Sequence, residues 1–223
     1  MSRDRGQSPA ARSTQLSFGL VESGWQDWCV ADSTTTASWV RIERWLAQLA
    51  PRTFAALAPP ADRSAIVAAE QAVGRPFPES LTECLLRHDG TGHQHLLPPF
   101  WSLLDTRGIV ETWDTCTQIN AKVFGDEEEG EANGDDGLWW HSMWFPFAAD
   151  GAANHLVIDQ RQHRWVGRIG KADHELGCSF ESQPMWASLP ALLEATATAL
   201  ETGDVLDGCL PVVERAELHW EVL

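Results

Sequence analysis

Ala65-Ile-Val-Ala-Ala-Glu70-Gln-Ala-Val73-Gly74-Arg-Pro76-Phe-Pro78-Glu-Ser-Leu81-Thr-Glu-Cys84-Leu85-Leu-Arg-His88-Asp89-Gly90 decides the reading of this chain. Ile66, Ala69 and Val73 recur at three- and four-residue steps, so they share one face of a helix over residues 62–73. Asp62 is its N-cap and Gly74 its stop. Pro76 and Pro78 then hold the backbone extended. A short helix over 79–88 groups Leu81, Cys84 or Leu85, and His88. His88 closes that helix where a cation suits the C-terminal dipole, and Asp89-Gly90 makes the turn after it.

Toward the N-terminus, Trp39, Ile42, Leu46 and Leu49 predict another helix over 38–50, with Ser38 as cap and Pro51 as end. Residues 32–37 read as a linker. Residues 1–37 form a tail, disordered to about 15 for want of periodicity and then partly packed around Trp25 and Trp28. The domain proper spans 38–223.

Past Gly90 the pattern changes. Leu96-Leu97 and 101–104 are short apolar runs around Pro98-Pro99. Residues 109–119 predict a helix carrying Val110, Trp113 and Ile119. Strand-like stretches follow at 145–149, 155–159 and 165–169. Ser188-Leu-Pro190 opens a helix with the stripe Leu189, Leu192, Leu193, Thr196 and Leu200, ended by Gly203. Residues 218–222 alternate as a half-buried strand does. Helices first and strands later predict an α+β fold: N-terminal helices, then a twisted, mainly antiparallel sheet with helices packed on one side.

The chain has 223 residues and 43% hydrophobic content, enough for a sizeable core. Nothing approaches the ~20 apolar residues of a membrane helix, and no signal peptide is evident, so the expected place is the cytoplasm. Five scattered cysteines with no CxxC pair argue against a disulfide framework or a zinc ribbon. Scarce lysine beside abundant arginine and alanine is the usage of a high-GC bacterial genome. The net charge is −16. The first fifteen residues carry three arginines against Asp4, so the rest carries −18. Such a surface repels nucleic acid and anionic membranes and attracts a basic protein.

Four stretches in order resemble the SUKH superfamily, in its cell-wall-assembly-regulator-like branch. They are Trp39-Val-Arg-Ile-Glu43-Arg-Trp45-Leu46, the Ala65–Leu81 run, Leu85-Leu-Arg-His-Asp89-Gly90, and Trp144-Phe-Pro-Phe147-Ala-Ala-Asp150-Gly151-Ala-Ala153-Asn154-His-Leu156-Val-Ile-Asp159. The resemblance spans roughly 38–222. It implies a twisted antiparallel sheet with helices on one side. It also implies a non-enzymatic binding module, often an immunity protein that neutralises a toxin, sometimes a nuclease, by stoichiometric binding. Other members are regulatory or scaffold adaptors. Glu43 and Glu70 stand where the family keeps acids, in a capping or salt-bridge role. Ala153 stands where the family usually has glycine.

Candidate contacts lie where the sequence departs from the family. Asp126, Glu127, Glu128, Glu129, Glu131, Asp135 and Asp136 crowd into an acidic, glycine-punctuated loop over 126–137. It would dock on a basic cleft through carboxylate–arginine pairs, or it is simply a solvated loop. Its spacing does not fit a calcium loop. Trp139 and Trp140 follow directly. Aromatics beside acids are the layout of an anchored interface with a charged rim. The bland alternative places them in the core. His93-Gln-His95 lacks an evident third metal ligand, and so does Asp173-His-Glu175 with Cys178. No GxSxG, P-loop, GxGxxG or HExxH occurs, so neither a catalytic residue nor a cofactor is expected. The expected partner is a basic toxin domain.

Overall fold

The computed structural model describes residues 34–125, 138–162, 164–180 and 186–223. These belong to one unit, Asp32–Leu223. The tail expected over 1–37 lies outside them up to residue 33.

The first helix, α1, runs Thr34–Leu49, four residues earlier than its apolar stripe predicts. The supposed linker Thr34–Ala37 is its first turn, and Thr35 and Ser38 are buried in it. Pro51 does not simply end the helical region. It opens a second short helix, α2 (Pro51–Ala56), because proline at the first helical position sacrifices only a donor that has no partner there. Helix α3 (Arg63–Val73) starts after Asp62 and stops at Gly74, which sits at φ 77°. Helix α4 (Glu79–Arg87) buries Leu81, Cys84 and Leu85 together.

The turn after α4 depends on glycine. Gly90 has φ 80° and lies so close to the start of the next segment that an added Cβ would meet Asp105 N at 2.8 Å. Asp89 beside it accepts a hydrogen bond from Thr106 N at 2.7 Å. The pair therefore anchors the beginning of α5 (Thr106–Val123), longer at both ends than the apolar spacing implies. Asp105 caps α5 by accepting from Gly108 N at 2.6 Å.

The main sheet is an antiparallel meander of β1 (Ser102–Leu103), β2 (Trp144–Ala149), β3 (His155–Asp159), β4 (Ile169–Asp173) and β5 (Gly177–Ser179), in that order. The fourth strand lies four residues beyond its predicted position. Trp165 and Val166 are exposed in the preceding turn, and Ile169 begins the strand. An apolar run is no strand signal when its side chains face water. Helix α6 (Leu189–Thr202) is capped by Ser188, which accepts from Ala191 N. The final alternating strand, β7 (Glu217–Val222), pairs with β6 (Cys209–Glu214) in a separate two-stranded sheet.

α+β is therefore the observed class. Trp39, Ile42 and Leu46 of α1, Leu192 and Leu193 of α6, and Phe145, Phe147 and Ile158 of the sheet form the large core on one face. Alternation along β3 sends His155, Val157 and Asp159 to the other face. A smaller cluster of Leu138, Trp140, Trp144, Val157, Cys178 and Phe180 covers it.

Glu43 and Glu70 hold structural positions. Glu43 pairs with Arg87 at 2.5 Å and with the His88 ring at 3.0 Å, tying α1 to the end of α4. Glu70 accepts from Phe77 N at 2.9 Å, fixing the chain between the two prolines.

Candidate functional site

The segment 126–137, with Asp126, Glu127, Glu128, Glu129, Glu131, Asp135 and Asp136, lies outside the described residues. Its two anchor points are described. On the incoming side, α5 ends at Phe124, whose N–H donates to Asn120 O at 2.9 Å. On the outgoing side, Leu138 is buried and its carbonyl accepts from Cys178 N at 3.0 Å, locking the chain to β5. Between these points Phe124 and Trp139 stack, with ring centroids 5.8 Å apart and planes 23° apart. The stack forms the neck from which the acidic segment leaves.

The two tryptophans part company here. Trp140 is 3% exposed and donates from Nε1 to Thr117 Oγ1 at 3.1 Å. It is core, not a surface contact, because it fills the space between α5 and the sheet. Trp139 is half-buried, and its Nε1 donates to His174 O at 3.0 Å. Phe124 is 44% exposed beside it, and Leu176 is 87% exposed on the β4–β5 turn to which Trp139 is bonded.

That turn is rigidly built. Asp173 accepts from Glu175 N and Leu176 N at 2.9 and 3.0 Å, and these N–H groups hold its carboxyl below the usual carboxylate range. Gly177 has φ 85°, and an added Cβ would meet Leu138 O at 2.9 Å. Only glycine lets the turn press against the neck. His174 N donates to Asn154 Oδ1 at 3.1 Å, and Asn154 Nδ2 donates to Asp150 Oδ2 at 2.7 Å. Burial works against the Asp150 carboxylate, but the Asn154 amide and backbone N–H groups outweigh it and lower its pKa. The chain of contacts Asp150–Asn154–His174–Trp139 thus links the β2–β3 turn to the neck. Ala153 takes φ 65° in that turn, so the turn expected of glycine forms with alanine.

Beneath the neck the second face is charged as well as aromatic. Asp159 is fully buried. Arg161 donates to it at 3.0 and 2.8 Å, and Arg168 at 3.2 and 3.1 Å. Both guanidiniums lie over aromatic rings: Arg161 is 5.2 Å from Trp144, and Arg168 is 4.2 Å from Phe180. Such stacking suits the weakly hydrated guanidinium.

The other sequence candidates resolve differently. His93 and His95 share a cleft of about 300 Å³ with Glu217 and His219 of β7, a meeting that sequence spacing hides. Even so, among the described residues no cluster is placed to hold a metal ion. Burial pushes the Cys84 thiol up to about 12 and the Cys116 thiol up to about 11, so neither is a thiolate nucleophile at neutral pH. No helix among the described residues is long and apolar enough to cross a membrane.

Residues 60–194, from just before α3 into α6, match the SMI1 / KNR4 family (SUKH-1). The chain belongs to this family. The match fixes the SUKH-1 family and leaves its branch open. The family is generally non-enzymatic and consistent with a binding module. No curated protein matches the chain. The neck lies inside the matched SUKH-1 segment, while α1 and the β6–β7 hairpin lie outside it.

Sequence reasoning missed Phe124 and Leu176. Phe124 carried a usable signal: a large apolar residue beside a glycine, directly before an acidic run. Leu176 carried none, because its place beside Trp139 arises only from strand pairing.

Proposed function

We infer that this SUKH-1 protein is an immunity-type binding module that neutralises a cognate basic toxin by covering it, with the neck as anchor. The observation that supports this most is the Phe124–Trp139 stack at the root of the acidic segment, with Phe124 exposed and Trp139 half-buried. A rigid aromatic pair loses little entropy on binding. The seven carboxylates of 126–136 would form the rim and speed encounter with a basic surface. Asp126, Glu127, Glu128, Glu129, Glu131, Asp135 and Asp136 then act together with Trp139, and Trp140 supports from below. Arginine–carboxylate pairs explain how such a rim would occupy a basic active-site cleft, for instance that of a nuclease. No cofactor enters this reading.

The test is recovery of partners by the tagged protein at low salt, then co-expression with the basic toxin so recovered and binding kinetics on the purified pair. Rescue of growth and a one-to-one complex are expected. Trp139→Ala is expected to weaken the complex about 30-fold, the ~2 kcal/mol of an interface hot spot. Lysine at all four of positions 126–129 is expected to slow association and flatten its salt dependence. Unchanged kinetics in both variants would remove the neck and loop from the interface. Failure to rescue would favour a regulatory adaptor that binds an endogenous protein.

A further inference from the structure

Among the described residues, the indole of Trp139 has one hydrogen bond, from Nε1 to His174 O, beside its stack on Phe124. A stack sets the ring plane but lets the ring slide, whereas a hydrogen bond sets where its edge points. The direction of the neck therefore depends on what holds the His174 carbonyl still.

His174 O and Glu175 N share one rigid peptide plane. The N–H end of that plane is held by Asp173 at 2.9 Å. The preceding peptide is held from another turn. His174 N donates to Asn154 Oδ1 at 3.1 Å, and the His174 ring nitrogen Nδ1 lies 3.0 Å from the same oxygen. The Asn154 amide has only one workable orientation. Its Nδ2 faces Asp150 Oδ2 at 2.7 Å, and an ionised carboxylate only accepts, so Oδ1 is the atom left for His174. Asp150 is fixed in turn through its other oxygen, which accepts from Ala152 N at 2.7 Å and from Asn154 N at 3.2 Å. Alanine at 154 would lose both side-chain bonds. Aspartate would lose the donor and set two carboxylates against each other. At this length only asparagine carries an acceptor and a donor on one planar group.

We propose that Asn154 is a positioning residue for the neck: through the His174 peptide it presets the direction of the Trp139 indole before any partner arrives. Its effect on affinity rests on the immunity-type reading of the neck and works by preorganisation, since a ring already held in place costs less to order on binding.

The experiment uses the full chain, isotope-labelled at its tryptophan indole nitrogens and read by the indole N–H resonances. Trp139→Phe identifies the Trp139 signal by its loss. Asn154→Ala is expected to move that signal and to speed its exchange with solvent about fivefold, as weakening of one local hydrogen bond would. The signals of the tryptophans in the large core should stay in place. Asn154→Asp keeps the acceptor and loses the donor, and is expected to move the same signal, so the test survives if the alanine variant does not fold. Glu70→Ala removes a bond of similar kind, to Phe77 N, and controls for lost stability. It should leave the Trp139 signal where it is. An unmoved signal in the Asn154 variants would overturn the proposal, and so would an equal shift in Glu70→Ala.

With the partner in hand, Asn154→Ala is expected to speed dissociation about fivefold in the parent and to add nothing beside Trp139→Ala. An equal effect in both backgrounds would overturn the positioning role. The indole measurement needs no partner. Failure of the immunity reading therefore leaves its outcome standing, and an unmoved indole leaves that reading standing.

Discussion

The two faces of the five-stranded sheet solve the same problem with different chemistry. On the helical face, Trp39, Ile42, Leu46, Leu193 and Phe147 close an apolar core, and ionic contacts sit outside it. Arg41, for example, spans α1 to α6 by pairing with Glu194 at 2.5 Å and Glu201 at 2.6 Å while partly exposed. On the opposite face the order is inverted. Asp159, Arg161 and Arg168 are inside and stacked on Trp144 and Phe180, while Phe124, Trp139 and Leu176 are the groups left in view. The first arrangement maximises burial. The second buries its charges on aromatic rings and leaves Phe124 and Leu176 exposed at its rim.

The largest expected difference between the faces is in the cost of removing one arginine. Arg168→Ala removes one of the two guanidiniums on a fully buried carboxylate, leaves Arg161 as its partner, and is expected to cost about 2–3 kcal/mol in urea unfolding. Arg41→Ala breaks screened, partly exposed pairs and is expected to cost below about 1 kcal/mol. Equal costs would erase the contrast. The next effect sharpens it at the β2–β3 turn. Ala153 pays a left-handed conformation at φ 65°, so Ala153→Gly is expected to stabilise by about 1 kcal/mol in the same assay. A destabilised variant would show that the alanine methyl makes a contact worth more than the strain.

The smallest effect is a pH dependence confined to the second face. Burial holds the His155 imidazole below its ordinary value, against the opposing pull of the Asp150 carboxylate. The unfolded chain therefore binds the proton first. The contribution of His155 to stability is complete above about pH 6.5 and is lost as the pH falls through the lower folded value. Thermal unfolding at pH 7.5 and pH 5.5 should show a drop in the parent that His155→Gln reduces. An identical drop in both proteins would place the titrating group elsewhere.

Much of the helical half was legible in the sequence because its signals are local. The step from Ile66 to Ala69 to Val73, the stop at Gly74 and the Ser188 cap each act within one or two turns of chain. The alternation of Leu218 and Trp220 marks β7 for the same reason. The fourth strand was misplaced because Trp165 and Val166 look like strand residues, and only the packed fold exposes them. Of the proposed contact residues, Trp139 and Trp140 are indistinguishable in sequence. Their opposite burial follows from α5 offering Thr117 to one, while the β4–β5 turn offers His174 O to the other at the rim.

By itself the sequence determined the α+β class, the boundaries of α3, α4, β2, β3, α6 and β7 to within a residue, the acidic charge and the position of the acidic run. Periodicity, capping and composition are properties of neighbours along the chain. Tertiary structure alone decided that Phe124 stacks on Trp139, that Arg168 reaches Asp159, and that Asn154 of one turn holds His174 of another. Each of these joins residues from different elements, and no local preference encodes a meeting that sheet register and core packing bring about.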